Sequence, residues 1–161
     1  MLLPEESECN LIFVATGTGI APIRSLLRRL FHDRAEANDG TRKFQGLAWL
    51  FYGVRDAVSR LYDSEHMAYK AKFPEHFRYN CAMSREGKLG ERYVHTEMSR
   101  CMDELWQLLQ LPNTHLYACG LKALESSLTD SLASAARDRG QDWREIQKAM
   151  RTDGRYHVEV Y

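Results

Sequence analysis

Two stretches of this sequence carry residue types able to hold a phosphorylated ligand. Thr16-Gly17-Thr18-Gly19-Ile20-Ala21-Pro22 sets two glycines and two hydroxyls within seven residues. Glycines let a backbone turn tightly and approach a ligand closely. The N–H groups of a first helical turn lack intrahelical acceptors, and with the helix dipole they favour an anion. Pro22 fits an early helix position, where its missing N–H costs nothing. The second stretch, Ser84-Arg85-Glu86-Gly87-Lys88-Leu89-Gly90-Glu91-Arg92-Tyr93, offers a hydroxyl, three cations, a phenol and two glycines. Arg85 could make a forked contact to a phosphate. Tyr93 could stack on an adenine face and donate a hydrogen bond. A 2′-phosphate, hence NADP rather than NAD, is the economical reading. Composition alone leaves a solvated basic loop equally open.

A bare Gly-x-Gly is weak by itself, since a plain tight turn has the same residues. The flanking elements favour the ligand site. The apolar run 11–15 before it reads as a buried parallel strand. Residues 23–31 after it carry apolar positions at helical spacing. The alternation continues downstream. Residues 47–53 form a second apolar strand ending on glycine, and 61–73 a short helix stopped by Pro74. Residues 77–83 form a third strand and 94–111 a helix (Val94, Met98, Met102, Leu105, Leu109) ending before Pro112-Asn113. Residues 115–119 make a fourth strand, closed by Gly120. A helix over 121–139 stops at Gly140, and another over 142–150 is capped by Asp142 with Glu145 as a capping-box partner. Residues 156–161 make the last strand. Asn38-Asp39-Gly40 marks a turn in the polar stretch 33–43. This pattern predicts a three-layer α/β fold: a five-stranded parallel sheet, order 3-2-1-4-5, with helices on both faces. Ligands of such sheets lie off the carboxyl ends of the strands, near the switch point. Both candidate stretches belong to that edge.

The bulk properties narrow the classes. The chain has 161 residues, one domain's worth, with 44% hydrophobic content. Its formal net charge is zero, so it carries no electrostatic footprint for nucleic acid. No apolar run reaches the length of a membrane span. Met1-Leu2-Leu3-Pro4-Glu5-Glu6 lacks the charged flank and apolar stretch of a secretory signal. The cysteines at 9, 81, 101 and 119 form no Cys-x-x-Cys pair, which argues against zinc and for a reducing compartment. The histidines have no metal-ligand spacing on one helix face. The common dinucleotide fingerprint does not fit either. It needs a third glycine where Pro22 stands, and an acid at the tip of the second strand, where Gly53-Val54-Arg55 stands.

Six separate blocks, in order, resemble the C-terminal, NADP-binding domain of plant-type ferredoxin–NADP reductase. They are Met1-Leu2-Leu3-Pro4; the Thr16 to Pro22 turn with Arg24-Ser25; Gly46-Leu47-Ala48-Trp49-Leu50-Phe51; Ser84-Arg85-Glu86; Tyr117-Ala118-Cys119-Gly120-Leu121-Lys122; and Val158-Glu159-Val160-Tyr161. The resemblance covers nearly the whole chain and implies roles. Thr16, Gly17, Thr18 and Gly19 would line the pyrophosphate and the passage toward the nicotinamide. Val54 and Arg55 would border the nucleotide. Ser84, Arg85 and Tyr93 would hold the 2′-phosphate and adenine, and Gly120 and Leu121 the other half. Cys119 would sit against the nicotinamide ring, where a small polarizable side chain suffices. Otherwise it is a core cysteine. Glu159 would position the nicotinamide and relay charge or protons. Tyr161 would cover the flavin face and move for nicotinamide to enter. Trp49 and Trp106 read as core, and Cys9, Cys81 and Cys101 receive no role.

Departures from the family pattern sharpen these expectations. A lysine is usual two residues before the loop tyrosine, and Glu91 holds that place in a shorter loop. Lys88 or Arg92 would supply the missing cation, and spacing leaves open which. His95 replaces a usual glutamine. Nothing in the sequence matches the family's N-terminal FAD-binding barrel, so residues 1–161 are expected to be one domain of a longer protein. That protein would pass electrons from reduced ferredoxin or flavodoxin through FAD to NADP⁺, the last step being hydride transfer. The cofactor carries the chemistry, and the protein holds the reacting atoms together. Two other readings stay open: the nucleotide-binding end of a diflavin reductase, and a non-catalytic NADP-binding module. The resemblance places the protein in photosynthetic electron transport, in the chloroplast stroma, peripherally on the thylakoid surface, or in a cyanobacterial cytoplasm.

Overall fold

The apolar runs become five parallel strands: β1 Asn10–Thr16, β2 Ala48–Val54, β3 Phe77–Met83, β4 Thr114–Gly120 and β5 Tyr156–Val160. Their order is β3-β2-β1-β4-β5, as the alternation predicts. This computed structural model describes residues 1–33, 43–86 and 92–161. The 38–40 turn, Lys88 and Glu91 lie outside the described residues. The described helices are α1 Ile20–Arg28, α2 Asp63–Lys72, α3 Val94–Arg100, α4 Met102–Leu109, α5 Ala123–Asp138 and α6 Trp143–Thr152. Among the described residues no helix is long and apolar enough to cross a membrane.

Strand side chains alternate between faces, and each face meets its own helices. Ile12, Val14, Trp49, Phe51, Leu116 and Ala118 pack with apolar residues of α3, α4, α5 and α6. Phe13, Ala15, Leu50, Tyr52, Tyr117 and Cys119 pack with Ile20, Ile23 and Leu27 of α1 and Tyr69 of α2. Leu11 through Ala15 have no exposed surface at all. The continuous apolar run thus records a central strand covered on both sides. Each large side chain so buried contributes about 1.5–3 kcal/mol. Trp49 and Trp106 are core residues, as expected, and each indole N–H has an acceptor, Asn80 Oδ1 at 2.8 Å and Gln141 Oε1 at 3.0 Å.

Three local features differ from the sequence expectation. The helix over 94–111 is two helices, because Cys101 leaves the helical region (φ −109°, ψ 14°). The apolar spacing runs on across the break, with Met98 and Met102 both buried, so periodicity carries no trace of it. α1 widens into a π-turn over Arg29–Asp33. That turn buries Leu30 and Phe31, and the Phe31 ring packs against Phe44, Tyr69, Phe73 and Phe77 at 4.9–5.8 Å. α2 starts after Tyr62, which holds a left-handed conformation at φ 60°. Such a backbone is uncommon for an aromatic residue. The Arg24 guanidinium lies 4.3 Å from the Tyr62 ring centroid, while its Nε donates to Glu65 at 2.7 Å. That pair joins α1 to α2. At α6, Asp142 accepts from the Arg144 N–H at 2.9 Å, the Asp142 half of the expected capping box.

His66 of α2 is fully buried, and among the described residues neither ring nitrogen has a hydrogen-bond partner. Burial pushes its pKa down to about 4. The folded chain therefore keeps His66 neutral where the unfolded chain, near the usual 6.5, takes up a proton. Stability should fall by about 3 kcal/mol as pH drops from 6.5 to 4. Urea unfolding across that range should show this slope, and His66→Leu should remove that share of it.

Candidate functional site

The carboxyl edge of the sheet collects the chemistry-bearing residues, and the exit of β1 is its centre. Gly17, Thr18 and Gly19 make one 3₁₀ turn directly before α1, with no acidic residue in either first turn. Gly17 has φ +54°, open to glycine without strain. Gly19 is required by proximity. A Cβ there would stand 2.1 Å from the Cys119 carbonyl oxygen and 2.7 Å from the Gly120 nitrogen. Only a bare Cα lets the start of α1 sit against the exit of β4. The first-turn N–H groups then face the crevice where strand order reverses, an arrangement suited to an anion. Pro22 lies in that first turn of α1.

β1, β4 and β5 bring a second set of groups to the same edge. Ala15 pairs with Cys119, and Cys119 with Glu159, so the three share one rung of the sheet. Cys119 is 5% exposed. Burial, and then the Glu159 charge, raise its pKa, so it is a neutral thiol. Glu159 is exposed. Thr16 Oγ1 accepts from the Leu121 N–H at 3.3 Å, tying the exits of β1 and β4 together. Tyr161 lies just past β5, its hydroxyl 2.5 Å from Thr18 Oγ1. Its main chain is held at both ends: Tyr161 N–H donates to the Gly120 carbonyl, and Lys122 N–H to the Tyr161 carbonyl, each at 3.1 Å.

β2 and β3 form the other end of the edge. Their ladder extends past the strands, Ser84 N–H donating to the Val54 carbonyl at 2.9 Å and Arg85 N–H to the Arg55 carbonyl at 2.8 Å. Two carboxylates here are turned onto backbone. Asp56 accepts from the Ser59 N–H and hydroxyl at 3.0 and 2.6 Å. Glu86 accepts from the Ala57 N–H at 3.2 Å. The Ser59 hydroxyl, with help from the nearby Arg85 and Arg55 charges, holds the Asp56 carboxyl below its usual range. Among the described residues neither Arg55 nor Arg85 is held in an ion pair, and both are exposed. Tyr93 is exposed, and its ring stacks on His95 at 5.5 Å and 5°. The exits of β1 and β3 are two strand spacings apart, about 10 Å.

Thr16, Gly17, Thr18, Gly19, Gly120, Leu121, Cys119, Glu159 and Tyr161 therefore come together at one end of the edge. Arg55, Ser84 and Arg85 gather at the other. Val54 reaches the edge only through its carbonyl, because its side chain is buried against the α1 face. Arg92 is exposed beside Tyr93.

The oxidoreductase NAD-binding domain family matches residues 13–130. The chain belongs to that family. Ferredoxin–NADP reductase of Thermosynechococcus vestitus is 43% identical over 165 residues, spanning all of this chain and 42% of that protein. The chloroplastic leaf isozyme 1 of Oryza sativa subsp. indica is also 43% identical, with 44% of its length covered. Among solved structures, ferredoxin–NADP⁺ reductase from Plasmodium falciparum with 2′P-AMP superposes with a TM-score of 0.73 at 28% identity, covering 99% of this chain and 55% of that one. The chain thus spans roughly half or less of these relatives' length. The likeness read from the six sequence blocks is borne out, and so is the sheet order.

The structure adds one residue that the sequence reading passed over. Tyr52 is fully buried, yet its hydroxyl donates to the Gly17 carbonyl at 3.1 Å. Strand alternation was the available signal: Tyr52 pairs with Ala15 and shares its face, beneath the start of α1.

Gly19→Ala tests the close approach. The added methyl must push α1 from β4, costing about 1–3 kcal/mol as an overpacked contact does. Thermal unfolding should detect this loss, and titration with NADP⁺ should show weaker binding than in the parent.

Proposed function

We propose that this chain is the NADP-binding half of a ferredoxin–NADP reductase, working with an FAD-binding domain outside residues 1–161. One observation carries the reading. A glycine-built backbone cradle at the β1 exit and two exposed guanidiniums at the β2 and β3 exits share one edge. A dinucleotide with a diphosphate and a 2′-phosphate matches that spacing and charge. A solved relative is described in complex with 2′P-AMP, a nucleotide carrying the extra phosphate.

In this reading the backbone N–H groups at Gly17 to Ile20 hold the diphosphate, with Thr16 and Thr18 beside it. Ser84 and Arg85 hold the 2′-phosphate, Arg55 adds charge, and Tyr93 stacks on the adenine. Gly120 and Leu121 border the nicotinamide half. When bound, NADP⁺ supplies a nicotinamide C4 that accepts hydride from a reduced flavin. Cys119 gives that ring a small, uncharged, polarizable neighbour. Glu159 places a carboxylate one strand away, able to orient the ring or relay a proton. Tyr161 covers the position and must leave Thr18 for the nicotinamide to reach the flavin. Lys88 and Arg92 remain candidates for a further phosphate contact. Ferredoxin or flavodoxin would be the electron partner. The chloroplastic and cyanobacterial relatives support a chloroplast or a cyanobacterium as its location, and the stroma or the thylakoid surface would be the plastid site.

Two outcomes test this. Arg85→Ala should weaken NADP⁺ by about 1–3 kcal/mol, the loss of a charge-assisted hydrogen bond, and leave NAD⁺ nearly unchanged. Equal weakening of both, seen by calorimetry, refutes the phosphate role. The 161-residue chain should bind NADP⁺ yet reduce no dye with NADPH until a flavin-loaded companion domain is added. Turnover by the chain alone contradicts the division of labour.

A further inference from the structure

The geometry points to Tyr52 as a positioning residue for the nucleotide diphosphate, its hydroxyl fixing the direction of the Gly17–Thr18 peptide. This rests on the reading of the β1 exit as the diphosphate site. In a trans peptide the C=O and the next N–H point in opposite directions. The Gly17 carbonyl turns inward to the Tyr52 hydroxyl at 3.1 Å. The Thr18 N–H of that same peptide is therefore aimed outward, away from the buried phenol.

Gly17 is the one residue of the turn able to let this peptide rotate. It has φ +54°, and an added Cβ would meet no atom within 4 Å. Rotation would replace the outward N–H with an outward carbonyl, repelling a phosphate. Two donors hold the carbonyl in place: the Ile20 N–H, which closes the 3₁₀ turn, and the Tyr52 hydroxyl. The first is internal to the turn and moves with it. The second is anchored in β2, whose Tyr52 is paired with Ala15 and fully buried.

The phenol is carried by β2 and reaches the loop after β1 at the nucleotide edge. Burial raises its pKa to about 12, so it remains a donor over the working pH range. The rings beneath it do not share this task. His66 lies 6.3 Å from the Tyr52 ring and 5.1 Å from that of Tyr79. The Tyr79 hydroxyl donates to Asp63 at 3.0 Å, at the start of α2.

Calorimetry on the full chain with two ligands separates positioning from plain stability. NADP⁺ carries the diphosphate, whereas 2′-AMP carries only the extra phosphate. Tyr52→Phe should weaken NADP⁺ about tenfold, the range expected for one lost hydrogen bond, and leave 2′-AMP within about twofold. Tyr79→Phe should leave both affinities unchanged. Unaltered NADP⁺ binding by Tyr52→Phe, or equal weakening of both ligands, overturns the proposal. A parent chain that binds neither ligand overturns the nucleotide reading, and this proposal falls with it. Should Tyr52→Phe fail to fold, NMR of the parent decides. The Tyr52 hydroxyl proton should be slow to exchange and should shift with NADP⁺ but not with 2′-AMP. A hydroxyl resonance indifferent to NADP⁺ overturns the inference.

Discussion

The start of α1 rests on the carbonyl of Cys119, and nothing larger than hydrogen fits on the Cα of Gly19 between them. That contact sets where every other group at the edge must lie. It brings the positive end of a helix to the point where β1 and β4 diverge in direction of winding. It also carries the exit of β4 to the same point. β5 then follows, because its register on β4 sets Glu159 beside Cys119 and Val160 beside Gly120. Tyr161, the next residue, has only Thr18 within reach of its hydroxyl among the described residues. A helix N-terminus, a thiol, a carboxylate and an aromatic ring thus converge through backbone pairing and one missing side chain.

Charge is handled differently at the two ends of the edge. At the β2 and β3 exits the carboxylates of Asp56 and Glu86 are spent on backbone N–H groups. The exposed guanidiniums of Arg55 and Arg85 make no ion pair among the described residues, while their charges still act on the Asp56 carboxylate. Near the β1 exit, ionisable groups are kept neutral by burial instead. Cys119 and Tyr52 are both raised by desolvation, and His66 is lowered by it.

Much of this was legible in the sequence because the strands are apolar runs bounded by glycine, proline and polar residues. Residues 11–15 could be little else than a central strand, and Gly53 stands one residue before the end of β2 while Gly120 ends β4. The break at Cys101 was hidden because Met98 and Met102 keep helical spacing through it, so the buried face stays continuous. The left-handed Tyr62 was hidden for a different reason. Its conformation is held by Arg24, from α1, and no local pattern records a tertiary partner. Tyr52 was hidden inside an apolar run, where a phenol reads as one more core ring. Its hydroxyl matters only because β1 and β2 pair in a register that sets it under Gly17. Arg85 and Ser84 were legible by type, but not the hydrogen bonds that Asp56 and Glu86 make to backbone N–H groups.

In the proposed function Tyr161 is the cover, and it is held by unequal forces. The Tyr161 main chain is pinned by two backbone hydrogen bonds, to Gly120 at the end of β4 and to Lys122 just past it. Its ring is 60% exposed and is held toward Thr18 by one hydroxyl contact in reach of water. A net contribution of about 1 kcal/mol is what such a bond supplies, so the ring leaves Thr18 at little cost. The backbone need not follow, because rotation about the side-chain torsions is enough to clear the hydroxyl. Opening therefore leaves β5, Glu159 and the Cys119 rung where they are. A strand end that moved as a whole would carry the carboxylate away from the thiol each time the site opened. A side-chain rotor on a fixed strand end avoids that, and keeps the two groups in register while the space beside Thr18 is exchanged.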